Sequence, residues 1–166
     1  ALRSDRYEWP EQILRDADIA MYVAKSKGKS RHEYFDTKMH ASIIDRLELE
    51  SDLRIAVEHQ SGFVLHYQPI IDLKNQNLIG FEALVRWKHA TRGLIYPLEF
   101  ISLAEETGLI FPLSDWILRE SCMQIRAWQK KYPGKPELRM SVNISSRLLL
   151  QPGFADSIQK NLFEQG

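Results

Sequence analysis

A mixed α/β fold is predicted by three features of this sequence. Two runs, Phe63–Asp72 and Leu78–Trp87, are rich in β-branched and aromatic residues and are separated by the polar stretch Lys74-Asn75-Gln76-Asn77, which reads as a hairpin. Two segments with apolar residues at helical spacing follow, Leu98–Thr107 and Leu113 to about Lys131. Leu138, Met140, Val142 and Ile144 then alternate as a strand, before a last helical stretch at Phe154–Phe163. Strand, helices, strand, helix is the rhythm of a parallel α/β sheet or barrel.

The elements read in order as follows. Pro10 to about Lys27 is a helix: Pro10 suits a first turn, Gly28 suits the stop, and Lys25, Lys27 and Lys29 suit its negative end. Ile13, Leu14, Ala17, Ala20, Met21 and Ala24 form its apolar stripe. His32–Phe35 is a short strand. Thr37 to about Glu58 is a long helix with Ile43, Leu47, Leu53 and Val57 on its apolar side, either a dimerising helix or a surface helix of its own domain. Pro69 cannot donate to a ladder and marks an edge or a bulge in the first hairpin strand. Gly108 stops the helix that begins near Leu98. In the helix after it, Ile117, Leu118, Ser121, Cys122, Ile125 and Trp128 make the buried side, and Tyr132-Pro133-Gly134-Lys135-Pro136 ends it.

Bulk composition narrows the functional classes. Lysine plus arginine equals aspartate plus glutamate, 22 each, so no overall charge draws the chain to duplex nucleic acid or a membrane surface. A small anionic ligand needs only a local basic group and stays open. No apolar run approaches the roughly 20 residues of a membrane span, and Ala1–Arg6 is no signal peptide. Cys122 is a lone cysteine, which excludes an internal disulfide, fits a reducing compartment and reads as packed core. The expected location is the cytoplasm, and the sequon Asn143-Ile144-Ser145 is read as chance.

The most informative stretch is Phe81-Glu82-Ala83-Leu84-Val85-Arg86-Trp87. In a strand, Phe81, Ala83 and Val85 share one face, and Glu82, Leu84 and Arg86 share the other. Two readings fit an acid and a base on one face. They form an ordinary salt-bridged strand, or the carboxylate holds a metal and the guanidinium holds a phosphate. Asn143 faces away from Val142 and Ile144, so Glu82 and Asn143 enter one interior if the apolar sets pack on helices. They are hard oxygen donors suited to Mg²⁺ or Mn²⁺, while Asn143 taken by itself reads as a satisfied polar residue. His66 and His89 are metal candidates by residue type only. Glu105 and Glu106 read as a helix end.

Four motifs recur in order: Tyr67-Gln68-Pro69, the stretch around Glu82, Pro97-Leu98-Glu99-Phe100-Ile101 with Ala104–Ile110, and Ser141-Val142-Asn143-Ile144-Ser145. From about Leu47 onward, this set resembles the N-terminal half of the EAL-domain family of cyclic-di-GMP phosphodiesterases. Ile13–Lys25 followed by Lys27–Arg31 resembles the last helix and strand of a GGDEF domain, the family that makes cyclic-di-GMP and often precedes an EAL domain. The resemblance implies a truncated, TIM-like (β/α) barrel with a reversed first strand, after a GGDEF helix–strand remnant. The domains are then 1–36 for the remnant, 37–58 for a linker helix and 59–166 for the EAL part.

The same resemblance implies the chemistry. Glu82 and Asn143 bind the metal. Gln68, Leu84, Arg86 and Pro97 bind cyclic-di-GMP, with Arg86 on a phosphate, and Pro97, Leu98 and Phe100 line or support a base pocket. The parent hydrolyses cyclic-di-GMP to linear pGpG with Mg²⁺ or Mn²⁺. The glycine-rich GGDEF signature is absent, so no cyclase activity is expected. Leu47–Gly166 is about half of the roughly 250 residues of a complete barrel, and the family's later carboxylates and lysine fall outside it, so no turnover is expected of this chain alone. The alternative is a module that binds cyclic-di-GMP or dimerises without catalysis. The expected assembly is a homodimer through the EAL part or the linker helix.

Overall fold

The computed structural model describes residues 9–26, 30, 32–133 and 138–164. The chain forms two compact units, Ala1–Ser51 and Asp52–Gly166, and the division falls within a helix.

The first unit holds α1 (Pro10–Ser26) and the start of α2 (Thr37–Glu58). Pro10 opens α1 as expected, while the basic end at Lys27 and Lys29 and the stop at Gly28 lie outside the described residues. The buried face of α1 is rotated from the expected stripe. Asp16, Ala20, Val23 and Ala24 are buried, whereas Leu14 and Met21 are exposed. Asp16 keeps a charged partner, Arg15 Nε at 3.3 Å. The expected strand at His32–Phe35 does not form: a strand requires a neighbouring ladder, and among the described residues nothing pairs with it.

The second unit is built on one sheet. Strands β1 (Phe63–Ile71) and β2 (Leu78–His89) pair antiparallel. The turn between them is closed by Asp72, whose carboxylate accepts the Lys74 N–H at 2.8 Å, and by Asn75, whose side chain accepts the Asn77 N–H at 3.0 Å. Pro69 lies on β1, which among the described residues has only β2 as a neighbour, and the register shifts just after it, between Ile70 and Ile71. On its other side β2 has two short partners. The strand β4 (Arg139–Val142) runs parallel to Gly80–Ala83, and β3 (Gly93–Ile95) folds back on Trp87–His89. β3 was not among the elements expected from the sequence.

Helices α3 (Pro97–Thr107) and α4 (Ile110–Lys131) cover one face of this sheet. Pro97 starts α3, and Gly108 ends it at φ 77°, a left-handed conformation that a side chain would strain. α4 begins three residues earlier than expected, because Pro112 is tolerated within a first turn. Phe63, Trp87, Phe100 and Trp116 stack with centroids 5.7–6.2 Å apart. Trp128 sits 4.9 Å from Tyr67 and 4.5 Å from Phe81. Phe100 is thus core, with no exposed surface. Cys122 is half-buried, and burial raises its thiol pKa. Two helices close the unit, α5 (Ser146–Leu149), also unexpected, and α6 (Phe154–Glu164).

The C-terminal half of α2 joins this unit. Leu53, Ala56 and Val57 are buried, and Asp52 receives a 3.0 Å contact from His89 Nε2. The other imidazole nitrogen accepts the Thr91 and Arg92 N–H groups at 3.2 Å. His89 is therefore spent on the turn into β3. Leu47, expected on the apolar side, is exposed, as is Ile44.

Two substitutions test this packing. A Cβ added at Gly80 would lie 2.3 Å from the Arg139 carbonyl oxygen, so Gly80→Ala must push β4 off β2. It is expected to destabilise the unit by about 1–3 kcal/mol, read as a lower urea midpoint. Ser121 is 1% exposed and its hydroxyl has no hydrogen-bond partner among the described residues. Ser121→Ala removes an unsatisfied buried group at little change in volume, and a gain of about 1 kcal/mol in the same experiment is expected; a loss would show that the hydroxyl is bonded.

Candidate functional site

Registers around β2 decide which side chains meet. Gln68 lies opposite Glu82, His66 opposite Leu84 and Val64 opposite Arg86 on β1, while Ser141 lies opposite Glu82 on β4. Residues paired across a ladder share a face. Gln68, Glu82, Leu84, Arg86, His66 and Ser141 therefore occupy one side of the sheet. Phe63, Phe81, Ala83, Val85 and Trp87 occupy the other, against α3 and α4. Gln68 and His66 are exposed, and Glu82, Leu84 and Arg86 are half-buried.

Asn143 follows the last residue of β4. Its Nδ2 donates to Glu82 Oε1 at 2.7 Å. That leaves Glu82 Oε2 and Asn143 Oδ1 as hard oxygen donors. Their chemistry fits part of a Mg²⁺ or Mn²⁺ shell. Two donors do not fill the six positions such an ion takes, and among the described residues no group of three His, Cys, Asp or Glu side chains converges. His66 stands apart from Glu82, beside Leu84, and His89 is bonded to Asp52.

Arg86 is held without an acid. Its Nη1 donates to the Val85 carbonyl at 2.7 Å, and its guanidinium lies 5.1 Å from the centre of the Tyr96 ring. No carboxylate among the described residues forms an ion pair with it. It lies four strand steps from Glu82, about 13 Å along a strand, beyond reach of a direct pair. The salt-bridged strand is thus not what forms here. Tyr96 was missed in the sequence. Its position beside Pro97 marks a helix start and gives no hint that the hairpin from β2 to β3 brings it back to Arg86.

Pro97 falls elsewhere than the other candidates. With Leu98, Ala83, Val85 and Ile101 it lines a cleft of about 420 Å³ on the helical side of the sheet. Asn143 and Ser145 also line this cleft, and so does Glu105. Asn143 is thus the one candidate that reaches both the cleft and the polar face. Glu105, read from sequence as a helix end, accepts a hydrogen bond from Ser145 Oγ at 2.5 Å.

Comparison with known proteins gives the family. The EAL domain model matches residues 50–166. The bifunctional diguanylate cyclase/cyclic di-GMP phosphodiesterase MucR of Pseudomonas aeruginosa is 40% identical over 151 residues, 91% of this chain and 22% of that protein. The cyclic di-GMP phosphodiesterase PdeR of Escherichia coli is 40% identical over 152 residues, 92% of this chain and 22% of that protein. The chain spans about a fifth of the length of these curated relatives. Among solved structures, the PaMucR phosphodiesterase in complex with c-di-GMP superposes with a TM-score of 0.66 at 41% identity, covering 71% of this chain and 47% of that one. With its matched region spanning most of its length and its sheet carrying the motifs in register, the chain belongs to the EAL-domain family.

Proposed function

We propose that this chain is the first part of an EAL barrel whose parent protein hydrolyses cyclic-di-GMP to the linear dinucleotide pGpG in bacterial second-messenger signalling. The observation that carries this reading is the Asn143–Glu82 hydrogen bond at 2.7 Å, formed on the same face as Gln68 and Arg86. Arg86 has the geometry to take a phosphate oxygen, since its planar donors are not used by an acid. Gln68 offers an amide to the same ligand, Leu84 an apolar contact between the two charged positions, and Pro97 the rim of the adjacent cleft. Glu82 and Asn143 would hold a divalent ion, Mg²⁺ or Mn²⁺, which when bound lowers the pKa of a water and stabilises charge on the phosphate.

The finer architecture follows the same reading. The antiparallel β1 and parallel β4 around β2 support a TIM-like barrel with its first strand reversed, about half of it within this chain. Residues 1–36 are assigned to the end of a GGDEF domain, 37–58 to the linker helix and 59–166 to the EAL part. The exposed Ile44 and Leu47 support a homodimer through the linker helix. No described helix is long and apolar enough to cross a membrane, and the proposed location is the cytoplasm.

Thermal unfolding of the chain with and without cyclic-di-GMP plus Mn²⁺ tests the proposal. A ligand at about 100 times its Kd stabilises by about 2.7 kcal/mol, so the midpoint is expected to rise. Arg86→Ala should weaken binding of the dinucleotide about tenfold or more, and Glu82→Ala should remove its dependence on Mn²⁺. A cooperative transition that the ligand does not move would overturn the reading.

A further inference from the structure

We propose that Glu105 is a positioning residue for Asn143, acting through the hydroxyl of Ser145. The inference rests on the reading of Glu82 and Asn143 as metal ligands, and it adds a residue outside that set. Asn143 sits beyond the end of β4, where the ladder with Ala83 has stopped. The three residues Asn143–Ser145 belong to no helix or strand. Their placement therefore depends on what fixes the two ends of the segment. One end is Val142, paired with β2. The other is Ser145, and its hydroxyl is fully engaged. It donates to Glu105 Oε1 at 2.5 Å and accepts the Arg147 N–H at 3.3 Å, capping α5. Arg147 adds a second tie, its Nη1 donating to the Glu105 carbonyl oxygen.

The anchor at the far side of this clasp is rigid. Phe100, Leu103 and Ala104 of α3 are buried almost completely, and Thr107 bonds back to the Leu103 carbonyl at 2.8 Å. A chain of contacts thus runs from the packed core through Glu105 and Ser145 to Asn143, and from Asn143 to Glu82. Groups one step behind a metal ligand orient it, and their loss lowers affinity about 10- to 100-fold. A helix-end glutamate with only a capping role would change stability and leave Asn143 where it is.

The test compares Glu105→Ala with Glu105→Gln, which keeps the oxygen that accepts from Ser145. The first readout needs no metal: the side-chain amide resonances of Asn143 by NMR, with Glu82→Ala marking the position they take when the bond to Glu82 is lost. Glu105→Ala is expected to move them toward that position, and Glu105→Gln to leave them in place. The second readout is Mn²⁺ affinity by calorimetry, expected to fall about tenfold in Glu105→Ala and to be restored in Glu105→Gln. If Glu105→Ala does not fold, Ser145→Ala removes the same contact from the other side and decides by the same resonances. Unchanged Asn143 resonances in a folded variant would overturn the proposal. If the parent chain binds no Mn²⁺, the metal reading fails while the resonances still decide whether Glu105 places Asn143.

Discussion

Every strand side chain on the polar face takes its place from the register of β2. That strand is paired along both edges, antiparallel to β1 and in parallel with β4, and its own side chains alternate. Trp87, Val85 and Ala83 are buried against the helices. A slip of one residue would turn all three to the open side and push Glu82, Leu84 and Arg86 into the aromatic core. Each fully buried apolar side chain contributes about 1.5–3 kcal/mol, so the correct register is strongly preferred. The stabilisation that decides the register also decides that Gln68, Glu82 and Ser141 stand in one row. The strand residues of the polar face are thus positioned by the apolar one.

Aromatic packing makes this constraint stiff. Phe63, Trp87, Phe100 and Trp116 tie β1, β2, α3 and α4 at one end of the sheet, and Tyr67, Phe81 and Trp128 tie β1, β2 and α4 at the other. Ring pairs at these distances add about 0.5–1.5 kcal/mol beyond the area they bury. Burial and the nearby Glu120 carboxylate raise the Tyr67 phenol pKa, so it stays neutral within this packing. β4 is the less secure partner, four residues long, with its approach to β2 possible because position 80 has no side chain. Asn143 lies past the end of β4, and the segment it begins is tied to α3 through the hydrogen bond from Ser145 to Glu105.

Much of this was legible in the sequence because it follows from short-range periodicity. The alternation of 81–87 separated Glu82 and Arg86 from Ala83 and Val85 without reference to any other segment, and helical spacing located α3 and α4 to within a few residues. What could not be read depends on partners distant in the chain. His32–Phe35 has strand-like composition, but strand formation requires a ladder that composition does not reveal. Leu14 and Met21 satisfy a helical stripe, yet the buried face of α1 is chosen by what packs on it. β3 and α5 are too short for a periodic signal. Pro97 belongs to the same series of motifs as the other candidates but sits across the sheet from Gln68 and Arg86. Glu105 looked like a helix end, since its tie to Ser145 spans 40 residues. Side-chain contacts at that separation leave no local pattern.

The way the two charged residues are held bears on what this face is for. Glu82 and Arg86 are half-buried, and a buried charge is costly unless compensated. Direct pairing would be the simplest compensation, and the strand spacing forbids it. Each instead leans on neutral dipoles: Glu82 on the Asn143 amide, Arg86 on the Val85 carbonyl and the Tyr96 ring. These contacts orient the charges without neutralising them. The sheet therefore presents an anionic and a cationic position some distance apart, separated by Leu84, each with its net charge intact. A ligand with a phosphate at one end and a coordinated cation at the other would relieve both at once. On the proposed reading that relief exists only in the bound state, so the new partners, and not the desolvation itself, would be what Arg86 and Glu82 add to affinity.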